Sequence, residues 1–189
     1  MIESSTEFPP ESAVPPQSMG AFRWIDAITR FVPSFTHKGR GRFGDGTRYV
    51  AYFAESAAGA VAEFLRRHPE FLDQQENLNI RVYKVDLSVP GTLLDVRTEA
   101  LAAAAGVRVE RLTSSEQDEL ARFQDCWALA ARADEALFVG ILYQSAAARW
   151  TAWNVALFGK SSEATWRVLD AREVDVPQVH RDLVRPLLD

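Results

Sequence analysis

The chain has 189 residues, 47% hydrophobic and 11% aromatic, enough for one compact domain with its own core. A formal net charge of −5 argues against a dedicated nucleic-acid binder, which would carry a basic face. With Cys126 as the one cysteine, no intrachain disulfide or thiolate zinc cluster can form, which fits a reducing cytoplasm. No apolar run reaches the roughly 20 residues that span a bilayer, and no basic-then-apolar leader opens the chain. These features predict a cytoplasmic protein with no membrane association.

Residues 1–19 hold four prolines with Ser and Glu and little to bury, so they are expected to form a flexible leader. A single domain is expected over 20–189. Phe22, Trp24 and Ile25 begin a predicted strand. Arg23 and Arg30 lie in apolar surroundings, where an arginine either snorkels to the surface or sits over a buried anion.

The segment from Gly39 to Arg67 combines a basic glycine-rich loop, an apolar strand and an alanine-rich helix. Lys38, Arg40, Arg42 and Arg48 stand there against Asp45 alone, a local basic patch suited to a small anionic ligand. Gly39, Gly41, Gly44 and Gly46 permit close backbone approach, and Asp45-Gly46 signals a turn. The loop is neither a phosphate-binding Walker loop, since no Gly-Lys-Ser/Thr follows, nor a GxGxxG dinucleotide turn. A plain glycine-rich hairpin connection explains it equally well. Tyr49–Ala54 predicts a buried strand, and Ser56 caps a helix running to about His68, before Pro69. Ala57, Ala60, Val61, Phe64, Leu65 and His68 share one helix face. Glu63 lies off that stripe, where periodicity alone predicts a solvated residue.

Further along, 78–88 alternates as a half-buried strand, and 93–96 gives another short one. Thr98 caps a short helix ended by Gly106, and a long helix is predicted over 113–133 with Ser114 or Ser115 as its cap. Leu137–Gln144 reads as a central strand, with Ser145 at its end; 154–158 and 165–169 read as strands, and Pro177 opens a short terminal helix. Strands and helices are interspersed, and the turn chemistry favours a mixed sheet.

His37, His68 and His180 match no metal-ligand spacing, so no metal is expected. No GxSxG elbow surrounds Ser145, which excludes a serine hydrolase. What remains is arginines, tyrosines, one glutamate and one serine: groups that bind a phosphorylated ligand and stabilise charge developing in it.

Two stretches carry a resemblance. GRFGDGTRYVAYFAESAAGAVAEFLRR and GILYQSAAARWTAWNVALF, starting about a hundred residues apart, resemble the RES domain family, named for an arginine, a glutamate and a serine. The similarity covers roughly residues 21–160. It implies an α+β fold with a mixed, mainly antiparallel central sheet flanked by helices, similar to ADP-ribosyltransferases. It also implies NAD as substrate, cleaved by a glycohydrolase, phosphorylase or ADP-ribosyltransferase reaction, in a bacterial toxin of a toxin–antitoxin pair. Its partner would be an Xre-type helix-turn-helix antitoxin; self-association is left open.

Matched residue by residue, Arg42 is the loop arginine, Tyr52 the strand tyrosine, Glu63 the helix glutamate and Ser145 the serine, with Asn154 opening the last motif strand. The leading arginine is Arg23 or Arg30. In this resemblance Glu63, Arg42 and Ser145 are catalytic, and Arg23, Arg30, Arg42, Tyr52, Ser145 and Asn154 bind the NAD. One departure is Ala146-Ala147-Ala148 before Arg149, where many members carry an arginine shortly after the serine. It motivates the alternative of a catalytically weak or inactive RES-like binding module.

Overall fold

The computed structural model describes residues 7–26, 38–68, 79–113, 119–147, 152–159 and 165–175. Among these residues nine strands form one sheet: β1 (Ala13–Val14), β2 (Gln17–Asp26), β3 (Lys38–Arg40), β4 (Asp45–Ala54), β5 (Asn79–Val89), β6 (Leu93–Val96), β7 (Gly140–Gln144), β8 (Trp153–Phe158) and β9 (Thr165–Asp175). Helices α1 (Ala57–Arg67), α2 (Glu99–Ala104), α3 (Val109–Thr113) and α4 (Glu119–Glu135) interrupt them. The spatial order is β1-β6-β7-β8-β4-β2-β5-β9, with β3 paired to β4. Within the described sheet only β6 and β7 run parallel. The fold is therefore α+β with a mixed, mainly antiparallel sheet, as the family resemblance implies.

The sheet is curled. Phe53 of β4 and Trp166 of β9 meet ring to ring at 5.3 Å, although three inter-strand steps, about 14 Å, would separate those strands in a flat sheet. Curling brings them together and defines an inner face, whose apolar cluster includes Val85, Leu87, Leu142 and Leu157. The outer face of β6–β8 packs on α2, α3 and α4 through Ala102, Leu112, Leu129 and Ala133, and α1 covers Ala54, Ile80 and Val82 through Val61, Phe64 and Leu65.

Local chemistry explains the helix ends. Ser56 Oγ accepts from the Gly59 amide at 3.0 Å, and Thr98 Oγ1 from Leu101 at 3.2 Å, both as their positions predict. Gly106, at φ 73°, closes α2.

Three expectations change. Residues 8–19 are not a free leader: Ala13 and Val14 pair with Leu94 and Leu93, Phe8 meets Phe138 edge-on at 5.3 Å, and β2 starts at Gln17. Backbone pairing and one aromatic anchor offset the prolines, which stay outside the ladder. The hairpin turn is Gly41–Gly44, not Asp45-Gly46, with Gly41 N–H on Gly44 O at 2.8 Å. Asp45 opens β4, where Gly46 takes φ 92° beside an irregular register. Leu137, read as strand, is 81% exposed at φ 65°, in the turn after α4. The α3 turn was not foreseen from the sequence. The cap of the long helix and the helix after Pro177 lie outside the described residues.

Gly140 lies close against the neighbouring strand β8. A Cβ there would sit 2.3 Å from the Ala156 carbonyl oxygen, which is backbone and cannot move aside. Gly140→Ala is expected to cost about 2–3 kcal/mol, lowering the thermal midpoint by about 5–10 °C in a calorimetric scan.

Candidate active site

Strand parity selects the residues that can meet. Ala54 pairs with Asn154, and Asn154 with Tyr143, so these three share the outer face of the sheet, together with Tyr52 opposite Ala156. Ser145 follows β7 two residues beyond Tyr143 and is fully buried. Helix α1 lies over this corner. Glu63, three residues before Arg66, points down from it.

There the carboxylate of Glu63 is fully engaged. Its Oε1 accepts from Ser145 Oγ at 2.9 Å and from Asn154 Nδ2 at 2.9 Å. Its Oε2 accepts from Arg66 Nε at 3.2 Å. Glu63 and Arg66 side chains are 18% and 19% exposed. Burial opposes ionisation of Glu63, but the charges of Arg66 and Arg42 and the hydrogen bond from Ser145 outweigh it, so its pKa lies below the ordinary value. The carboxylate is a fixed negative charge. Ser145 Oγ also accepts from the Ala147 amide at 3.2 Å, which orients the hydroxyl hydrogen toward Glu63.

Arg42 enters from the hairpin turn and is only 4% exposed. Its Nη1 donates to the Leu112 carbonyl at the end of α3, and its guanidinium lies 5.4 Å over the Phe123 ring of α4. Nη2 is buried and has no partner. Burial, then the neighbouring Arg66, lowers the Arg42 pKa, while Cys126, Tyr143 and Glu63 raise it. The loop that presents Arg42 is fixed by other bonds. Trp127 Nε1 donates to Gly41 O at 2.8 Å, the Phe43 amide donates to Tyr52 Oη at 3.0 Å, and Phe43 packs on Tyr143 at 4.8 Å. The Gly-rich loop is thus a rigid hairpin pinned between α4 and the sheet.

Of the residues singled out in the sequence, Glu63, Ser145 and Asn154 meet directly, Arg42 is close enough to act on the Glu63 charge, and Tyr52 braces the Arg42 loop. Arg23 does not join them. Its guanidinium lies 5.6 Å over Phe53, on the inner face, where burial lowers its pKa. Arg30 lies outside the described residues. Sequence reasoning missed Arg66, although an arginine three residues after a glutamate on a helix is a readable ion-pair signal. It also missed Leu112 and Phe123, which hold Arg42 and have no local signature. A separate cavity of about 310 Å³ is lined by Glu55, Gln144 and Trp153, the chain neighbours of Ala54, Ser145 and Asn154. Those side chains project to the opposite side of the sheet, so that cavity is not the Glu63 site.

A curled α+β domain with one ionised carboxylate locked by serine and asparagine, and a half-satisfied buried arginine, defines a class of charge-stabilising sites. A family model for the RES domain matches residues 19–180, and the chain belongs to that family. Its fold is similar to that of a chain in the crystal structure of the M. tuberculosis MbcT–MbcA toxin–antitoxin complex, with TM-score 0.67 at 14% identity over 93% of each chain. No curated protein sequence matches the chain significantly.

Proposed function

We propose that the protein cleaves the nicotinamide glycosidic bond of NAD and acts as the toxin of a bacterial toxin–antitoxin pair. One observation carries the reading most: the half-buried, ionised Glu63 carboxylate, fixed by Ser145 and Asn154 next to Arg42. Breaking the bond between ribose C1′ and the pyridinium nitrogen sends the electron pair to nitrogen, so nicotinamide leaves neutral and needs no general acid. That suits a site where, among the described residues, no histidine is hydrogen-bonded to Glu63. Positive charge accumulates on the ribose as an oxocarbenium-like centre, and a fixed carboxylate stabilises it where it develops. Arg42, with Nη2 unpaired, would hold a pyrophosphate oxygen. Ser145 is a positioning residue for Glu63, and Tyr52 for the Arg42 loop.

The acceptor is water, phosphate or a protein side chain; the product distinguishes ADP-ribose, its 1″-phosphate and a modified protein. The solved relative is a toxin–antitoxin complex, which supports an antitoxin partner, taken here as an Xre-type helix-turn-helix protein. A cytoplasmic site of action fits an NAD-consuming toxin; among the described residues no helix is long and apolar enough to cross a membrane. Induced expression in a bacterial host is expected to arrest growth and deplete NAD within one generation. Unchanged NAD at full expression contradicts the reading.

The second reading, a RES-like module that binds without turnover, draws on Ala146–Ala148 and on Arg66, which occupies the second carboxylate oxygen. NAD-induced thermal stabilisation without nicotinamide release would favour it.

The depressed Glu63 pKa sets the pH behaviour. The ionised form is favoured by folding, so its stabilising contribution is present above the unfolded value of about 4.3 and is lost as pH falls through the lower folded value. The acid limb of kcat is therefore expected below about pH 4.3. Arg66 is the largest influence favouring ionisation. Arg66→Gln should move that limb upward; an unmoved limb in a pH–rate profile contradicts this role.

A further inference from the structure

Asn154 carries a polar atom that the protein leaves unpaired. The residue is 3% exposed, its Nδ2 donates to Glu63 Oε1, and its Oδ1 is buried with no hydrogen-bond partner. The two ends of this amide cannot be exchanged. Glu63 is ionised and can only accept, so the NH₂ group must face it and the oxygen must face away. The direction is fixed further because Ser145 donates to the same Glu63 oxygen, leaving that oxygen a double acceptor.

An unpaired buried acceptor costs about 1–3 kcal/mol, and a ligand N–H placed on it recovers that cost. Such an orphan in an otherwise satisfied cluster calls for an explanation. Arg42 Nη2 is the complementary orphan, a cationic donor. The site therefore asks its ligand for one N–H donor beside Asn154 and one acceptor oxygen beside Arg42.

We propose that Asn154 Oδ1 accepts from the carboxamide N–H of the nicotinamide group and makes the enzyme select NAD against its carboxylate counterpart, nicotinic acid adenine dinucleotide. The inference rests on the NAD reading and names the group that the same site recognises. A carboxylate in place of the amide would set acceptor against acceptor and bring a second negative charge next to the Glu63–Asn154 pair. Both effects act against the acid and neither against the amide. Since Oδ1 is covered, a neighbour yields as the ligand enters.

The test measures kcat/KM of the purified full chain for both dinucleotides, in wild type, Asn154→Ser and Asn154→Ala. Wild type is expected to prefer NAD by about 100-fold or more, because a site built around a hydrogen bond rejects a ligand that cannot make it. The variants should lose most of that ratio, chiefly by losing NAD activity. Nicotinamide should inhibit the wild type as product, whereas nicotinic acid should not. Equal cleavage of the two dinucleotides by wild type overturns the inference and leaves the NAD reading standing; cleavage of neither overturns both. Full discrimination retained in a folded Asn154→Ser protein also overturns it. Should both variants fail to fold, the wild-type ratio and the product inhibition decide.

Discussion

Glu63→Gln is expected to lower NAD cleavage by about 10³-fold while the fold persists. Glutamine has the same shape, and its amide oxygen can still accept from Ser145 and Asn154, so the local hydrogen bonds survive in part. The negative charge does not survive, and charge is what opposes a cationic ribose centre. A stability loss of about 1 kcal/mol accompanies the change, because Arg66 and Arg42 lose their counter-charge. Nicotinamide release gives the rate and circular dichroism the fold. A folded Glu63→Gln protein within tenfold of wild type would show that the carboxylate does not stabilise the transition state.

Arg42→Ala is expected to lower both stability and activity. It removes a 4%-exposed side chain from between α3, α4 and the hairpin, leaves the Leu112 carbonyl without that donor and strips Phe123 of its stacked guanidinium. Together these cost about 2–4 kcal/mol, read as a lowered denaturant midpoint. Arg42→Lys separates the two roles. A lysine keeps the charge but presents no planar fork, so it can serve Leu112 or a ligand oxygen, not both. For it the expectation is a smaller stability loss with a kcat/KM for NAD reduced about 100-fold, carried mainly by KM. An unchanged KM would remove Arg42 from the ligand and leave it a structural residue.

How far the sequence reaches depends on whether a feature is local. Ser56 and Thr98 cap their helices where their positions predict, because capping involves only neighbours in the chain. Strands β5, β6 and β8 follow from alternation and apolar runs for the same reason. Residues 8–19 were misread because what orders them, Phe138 and the β6 edge, lies far along the chain. Leu137 was misread because an apolar side chain occupies a turn usually given to glycine. Glu63 is the sharpest case. Helical periodicity places it on the surface, and it is half-buried and hydrogen-bonded only because the end of β7 and the start of β8 bring Ser145 and Asn154 beneath α1. Family resemblance found it; pattern could not. The same resemblance left Arg23 and Arg30 as alternatives, and strand parity sends Arg23 to the opposite face, onto Phe53.

The central claim is that Glu63 makes this fold an NAD-cleaving enzyme, and nicotinamide release from NAD by the purified protein tests it most directly. Wild type should release nicotinamide steadily, Glu63→Gln should lose nearly all release, and NAD should stabilise both proteins against heat. Release at the same rate by the two proteins, or by neither, contradicts it.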